Sequence, residues 1–462
     1  MSVFKNILLN LPEVESPTQR KLSFKEKLKW TLIVLTAFFI LGLIPLFGLG
    51  QNSLQQFEFL SVILGAEFGS LISLGIGPLV TASIVLQLLN GSSIIKFDLK
   101  TDDGKKTFQG TQKLLSLFFI LFESGIYVFM GGLSPDPALK GTSMYLTMQL
   151  IIIFQMFLGG IAILLMDEIV SKWGFGSGIS LFIAAGVSKT LFIRTFSPLP
   201  SPTNPELATG AIPVLFQSLS SGGSPQTTLL MLAAIAATVL IFIFAVYCQA
   251  MKVEIPLSFG RIRGHGIRWP LAFIYTSNIP VILVSALLAN IQLWARLMGN
   301  WLGWSAQSVV DWVSVPGGSE GILGLIIKQG SIFVGIMPYL HALTYMLIMV
   351  AGAVVFSWFW VQTAGMDARS QAKNIMASGL QIPGFRKDER VMERILDRYI
   401  GPLTIMGAIT IGVLAALADL SGCLVHGTSL LLTVMIVYRL YEDIAKQHMY
   451  DMHPMMRKFM EI

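Results

Sequence analysis

The sequence predicts an all-α polytopic membrane protein, with ten transmembrane helices in two inverted five-helix halves. Three observations carry this. The 462 residues are 54% hydrophobic and only 13% charged, with a mean hydropathy of +0.70, whereas soluble domains carry roughly 25% charged residues. Apolar runs close to the ~20 residues that a bilayer requires recur along the whole chain. The basic residues cluster on every second connection between those runs, as the positive-inside bias demands.

The runs place spans at 30–49, 71–95, 114–133, 144–166, 177–193, 228–251, 271–293, 339–363, 400–420 and 427–441. Residues 1–29 form an N-terminal segment, loosely held and partly amphipathic up to residue 22. Ser23 followed by Glu26 fits a capping box ahead of the first span. That span begins only at Trp30 and is long enough to cross, so it reads as a helix and not as a cleaved leader. Five spans over 30–193 make a first half, and the Pro/Gly/Ser-rich stretch 194–227 is a linker. Five more over 228–441 make a second half, followed by a tail at 442–462.

Orientation follows from lysine and arginine. With the N-terminus inside, 27 of the 32 basic residues lie on residues 1–29, on loops 96–113, 167–176, 252–270 and 364–399, and on the tail counted together with Arg439 at the end of the last span. Only Lys140, Lys189, Arg194, Arg296 and Lys328 fall elsewhere. Both termini are therefore expected in the cytoplasm. An odd number of spans per half starts the second half on the opposite side, which is the arithmetic of an inverted repeat. A short echo accompanies it. Aligning Pro78 with Pro280 also aligns Val80 with Ile282 and Ser83 with Ser285, and Gly176-Ser177-Gly178-Ile179 resembles Gly427-Thr428-Ser429-Leu430.

One stretch fits no span. Residues 51–70 hold Glu58 and Glu67 and no basic residue, and Gln55–Gly69 is helix-like but too short to cross. It must lie on the outer surface or fold into a protein-lined cavity, because irregular backbone is not tolerated against lipid.

The chemistry that would mark an enzyme is missing. Gly104-Lys105-Lys106-Thr107 lacks the upstream glycine of a phosphate loop, since Leu99 stands there. No His-Glu-x-x-His occurs, and Ser177 lacks the flanking glycines of a nucleophile elbow, which Phe175 and Ile179 replace. Cys248 and Cys423 are far apart and predict neither a disulfide nor a metal site. No cofactor is expected. The rival architecture is a secondary transporter, which also uses inverted repeats and broken helices. Coupled transporters bury ionisable groups at the midplane. Here Glu123 in the third span is the clearest such group, with Lys189, Asp419 and His341 near span ends. What recurs near the Pro and Gly breaks of spans 2, 5, 7 and 10 is aliphatic: Val80, Ile179, Ile183, Ile282 and Leu432.

At these residues the chain resembles the SecY family, the channel subunit of the Sec translocon, on its archaeal and eukaryotic side. The likeness lies in LGIGPLVTASIVLQLLNGS (Leu74–Ser92), DEIVSKWGFGSGISLFIAAGVS (Asp167–Ser188), IPLSFGRIRG (Ile255–Gly264), SNIPVILVSALLANIQLW (Ser277–Trp294), GFRK (Gly384–Lys387) and LLTVMIVYRLYE (Leu431–Glu442). The resemblance implies a central pore between the halves, which conducts unfolded polypeptides and releases transmembrane segments sideways in the cell membrane. It implies a constriction ring of Ile76, Val80, Ile179, Ile183, Ile282 and Leu432, and a plug within 55–70. It implies a lateral gate between spans 2 and 3 and spans 7 and 8, with Thr81, Glu123 and Asn290 as its polar cluster. Arg261, Arg263 and Arg386 would dock the ribosome. The implied partners are SecE-type and beta-type small subunits, the ribosome, signal sequences and nascent polypeptides, and membrane lipids.

Overall fold

The computed structural model describes residues 11–18, 22–52, 66–91, 94–95, 97, 101–200, 207–220, 224–259, 266–276, 279–302, 304–333, 335–377, 380–381 and 388–452. The helices of the first half are α1 (Phe24–Leu43), α2 (Gly77–Gly91), α3 (Asp102–Phe129), α4 (Ser143–Trp173) and α5 (Gly178–Phe196). A short α6 (Ala211–Ser220) lies in the linker. The second half holds α7 (Pro225–Ala250), α8 (Ile279–Leu302), α9 (Trp304–Val313), α10 (Gly321–Gln329), α11 (Ile336–Thr363), α12 (Ala368–Ala377), α13 (Glu389–Leu420) and α14 (Gly427–Met452).

Six of these, α3, α4, α5, α7, α11 and α13, are long and apolar enough to cross a membrane by length and composition. Helices α1, α2, α8 and α14 occupy the places of predicted spans 1, 2, 7 and 10. Helix α1 carries Lys25, Glu26, Lys27 and Lys29 in its first turns, and α14 turns polar after Tyr438. Helix α2 is 15 residues long, and it is sheltered by protein on most of its surface.

Several span boundaries differ from the sequence reading, for one reason. An apolar run marks only the part of a helix in lipid, while the helix continues into water on polar residues. So α3 begins at Asp102, inside the expected loop 96–113, where Thr101 caps the Gly104 N–H at 3.1 Å. Helix α4 runs on through the expected loop 167–176 to Trp173, and α13 starts at Glu389 within 364–399. Span 2 shows the opposite error. Residues 71–76 form hydrogen-bonded turns, with Gly75 at φ +56°, and helix starts only at Gly77. The capping box is present: Ser23 and Glu26 exchange backbone-to-side-chain hydrogen bonds of 3.4 Å each.

Two small sheets complete the chain. Strand β1 (Leu49–Asn52) pairs with β2 (Leu133–Pro135). The expected loop 252–270 is a hairpin, β3 (Lys252–Phe259) with β4 (Gly266–Ala272), and β5 (Leu380–Gln381) adds to the tip end of β3. The hairpin, α12 and the start of α13 share a second apolar core built on Ile255, Leu271, Ala372, Met392 and Leu396. On the same side, residues 13–15 strap the end of α4. Val14 N–H donates to Glu168 at 2.9 Å, and Lys172 lies 2.5 Å from Glu13. The hydrogen bond from Lys172 and its charge hold the Glu13 carboxyl below its usual range.

Packing within the halves is parallel in kind: α2 against α3, α3 against α4 and α4 against α5, then α8 against α11, α11 against α13 and α13 against α14. The halves meet along two seams, α2 with α8 and α11 on one side and α5 with α14 on the other. The first half closes through tight backbone contact. A Cβ at Gly159 of α4 would lie 1.8 Å from the Leu71 carbonyl oxygen, which places the turn before α2 hard against α4. Gly159→Ala should therefore destabilise the fold by about 1–3 kcal/mol, the usual cost of overpacking. Gly186→Ala, with nothing within 4 Å of its Cβ, should be neutral or slightly stabilising. Thermal unfolding in detergent of both variants beside the parent checks this.

Candidate functional site: the seam and the apolar centre

Helices α2 and α8 begin alike, with Pro78 and Pro280 as second residues, where the missing N–H costs nothing. Val80 and Ile282 follow two residues later, 2% and 6% exposed. Ile76, Ile183 and Leu432 are buried too, and Ile179 is partly buried against the same apolar cluster. All six aliphatic residues singled out in the sequence thus lie in one continuous hydrophobic body spanning both halves.

A side chain one residue further along a helix points about 100° away. Thr81 therefore turns from the apolar centre toward the seam. Its hydroxyl oxygen accepts from Asn290 Nδ2 of α8 at 2.8 Å, and the hydroxyl lies 3.1 Å from Glu123 Oε1 of α3 and 2.9 Å from its own Gly77 carbonyl. One hydroxyl proton serves one of these two acceptors at a time. Thr81, Glu123 and Asn290 are all buried, Glu123 completely. The sequence placed these residues 42 and 209 positions from Thr81, and the fold brings them together. Beside them Phe122 meets Trp294 edge-on across α3 and α8, centroids 6.4 Å apart.

The other ionisable residues noted in the sequence are engaged differently. Lys189 of α5 lies 2.5 Å from Glu67. Phe68 stacks edge-on against Tyr127 of α3 at 6.3 Å. Together these contacts fasten the end of the 55–70 segment to α5 and α3. Residues 55–65 of that segment lie outside the described residues, as do Arg261, Arg263 and Arg386. The Lys189–Glu67 pair is not apparent from the sequence pattern. Its signal is a lone lysine at the far end of span 5 and a non-spanning segment that carries acids only. His341 sits against the ring of Trp312, and Asp419 bonds to groups on α11 and α14.

Comparison with known proteins decides what this arrangement is. The SecY family model matches residues 70–441, and the model for the plug domain of Sec61p matches residues 37–69. The chain belongs to the SecY family. The protein translocase subunit SecY of Methanothermobacter thermautotrophicus is 43% identical over 99% of this chain and 98% of its own length. That of Pyrococcus furiosus is 39% identical over 97% of this chain and 96% of its own. A solved structure described as a protein conducting channel superposes with a TM-score of 0.82 at 40% identity, covering 97% of this chain and 98% of the other. Sec61 from a canine ribosome-channel complex of the endoplasmic reticulum superposes at 0.79 and 39% identity, over 97% and 98%. The chain is thus a multi-pass membrane protein with the SecY architecture.

Thr81 is the hub of the buried polar group, so its loss should cost more than one hydrogen bond. Thr81→Val leaves Asn290 Nδ2 and Glu123 Oε1 without their partner, at about 1–3 kcal/mol for a stranded buried group, whereas Thr81→Ser keeps the hydroxyl and should stay near the parent. A double-mutant cycle of Thr81→Val with Asn290→Leu, read by equilibrium unfolding, should give a coupling of about 0.5–1.5 kcal/mol.

Proposed function

We propose that this chain is the protein-conducting subunit of a translocon. It passes unfolded secretory polypeptides across the membrane and releases transmembrane segments sideways into lipid. The observation that carries this is the full-length match to a protein conducting channel, joined to an apolar centre shared by both halves. Ile76, Val80, Ile179, Ile183, Ile282 and Leu432 act as the constriction. A throat for all sequences must not read side chains, and an aliphatic ring neither hydrogen-bonds nor carries charge. Closed, it disfavours water and ions. The seam of α2 and α3 against α8 and α11 is the lateral gate, with Thr81, Glu123 and Asn290 as its latch. A passing helix gains roughly 0.3–0.6 kcal/mol for each Leu, Ile, Phe or Val that reaches lipid. Several such residues outweigh one hydrogen bond across the seam, worth about 0.5–1.5 kcal/mol net. The segment within 55–70 is the plug.

Both termini are cytoplasmic, as the placement of lysine and arginine favours, and the membrane is the cell membrane. Arg261, Arg263 and Arg386 dock the ribosome through phosphate. The pairing of Ser258 with Gln381 and Phe259 with Leu380 supports this, because it joins the loop bearing Arg261 and Arg263 to the loop bearing Arg386. SecE-type and beta-type subunits complete the complex.

Two experiments test the reading. Replacing Val80 and Ile282 together with Ser should wet the constriction and raise the resting conductance of the idle channel in planar bilayers. Unchanged conductance would remove the ring assignment. For the ribosome, cosedimentation across a salt series should show that Arg386→Glu weakens binding more than Arg386→Lys. Each lost phosphate contact should flatten the log–log salt slope by roughly 0.7–0.9. Equal affinity and slope for all variants would leave these arginines as topology signals alone.

A further inference from the structure

The last helix of each half starts in the same way. In the first half the backbone N–H of Ile179, at the head of α5, donates to Asp167 Oδ1 of α4 at 2.9 Å. The preceding Gly178 is so close to α4 that a Cβ there would lie 2.6 Å from the Asp167 Cα. In the second half the backbone N–H of Thr428, at the head of α14, donates to Asp419 Oδ1 of α13 at 2.6 Å. The preceding Gly427 is so close to α13 that a Cβ there would lie 2.0 Å from the Ala418 carbonyl carbon. In both halves a carboxylate of the fourth span caps the fifth, and the bonded amide follows a glycine that close approach requires.

This pairing corrects the register read from sequence, which set Gly176 opposite Gly427. The structural equivalence is Gly178 with Gly427, and it carries Ile183 onto Leu432, each five residues further on. Two members of the constriction thereby become counterparts under the inverted repeat.

The first amides of a helix have no partner within it. A side-chain acceptor there fixes where the helix begins, and a carboxylate also favours the positive end of the helix dipole. The lead-ins turn through Gly176 and Gly422 at φ +71° and +65° and are held as well, with Phe175 N–H donating to Thr31 Oγ1 and Leu424 N–H to Thr238 Oγ1, both at 3.1 Å, but the carboxylate is the group that takes an amide of the helix itself. The constriction residues lie within the first turn and a half past these caps. At a rise of 1.5 Å per residue, five residues put Ile183 and Leu432 only about 7.5 Å along the axis from the glycines. A slip or rotation at the cap therefore reaches them undiminished. Ile179 is itself the capped residue.

We infer that Asp167 and Asp419 are the paired positioning residues of the constriction, each setting the depth and rotation of the fifth span of its half. The inference rests on the assignment of Ile179, Ile183 and Leu432 to the constriction. The two caps differ in support. Asp419 also accepts from Tyr345 at 2.6 Å and from the Thr428 hydroxyl, and His426 Nδ1 lies 2.5 Å from it. Asp167 is thus the cleaner site to test.

The experiment uses the full chain with its small subunits in planar bilayers, at equal amounts of folded complex. The variants are Asp167→Ala, Asp167→Asn and Ile183→Ser. Loss of a cap shifts an equilibrium by about five-fold, so Asp167→Ala should raise resting conductance by roughly that factor. Asp167→Asn keeps an acceptor oxygen and should stay sealed. Ile183→Ser should leak. Leak from Ile183→Ser with none from Asp167→Ala overturns the positioning role and leaves the constriction standing. No leak from Ile183→Ser overturns the constriction reading and the inference with it. A leak from Asp167→Asn equal to that of Asp167→Ala also contradicts capping. Should Asp167→Ala fail to accumulate, amide exchange on the parent protein decides. The Ile179 amide must be protected although it stands at a helix start, and rapid exchange there overturns the inference.

Discussion

Backbone groups buried away from water must find partners inside the protein, and the breaks in this structure depend on that constraint. A bundle of unbroken spans has no such difficulty, but it also has no throat. Here the chain interrupts helix before α2, α5, α8 and α14, the four helices that carry the aliphatic centre. Each described interruption is closed locally. Ahead of α2, Leu46 N–H bonds to the Gly69 carbonyl, Leu71 N–H to Ile44, and Gly69 N–H to the Ser73 hydroxyl, all at 2.9 Å. At the heads of α5 and α14 a carboxylate from the neighbouring span takes an amide that has no partner within its own helix.

The same constraint separates two kinds of contact. The apolar centre holds the halves together without direction, through Val80, Ile183, Ile282 and Leu432, and so tolerates deformation. The polar contact among Thr81, Glu123 and Asn290 is directional, and it lies on the seam where α2 and α3 face α8. The other seam, α5 against α14, joins through packed helices. The two seams thus differ in kind, one carrying a buried polar contact between the halves and the other packed helix against helix.

Much of this was legible in the sequence. Runs such as those of α4, α7 and α11 announce themselves, because nothing but lipid explains so many apolar residues together. The recurrence of Val80 and Ile282 after Pro78 and Pro280 pointed to the buried aliphatic centre. Helix extensions into water, as at Asp102 and Glu389, were not legible, since polar helix and polar loop share a composition. The turns at 71–76 are hidden by their apolar side chains, which continue the apolar run of the helix that follows. In the sequence Asp167 is one residue of a family-like block and Asp419 a charge near a span end. Their partners are backbone amides, which no side-chain pattern reveals. Glu67 and Lys189 stand 122 residues apart, and only the fold makes them neighbours.

The central claim is that a polypeptide passes between the two halves, through the aliphatic centre. The most direct measurement is photo-crosslinking from an arrested translocation intermediate, with the reactive group placed in the channel at Val80, Ile183 or Ile282, or on the outer surface at Phe242 or Leu347, which are 51% and 58% exposed. The account predicts adducts to the arrested chain from the three central positions and none from the two outer ones. Adducts from the outer positions alone, or none from the centre with the intermediate intact, would contradict it.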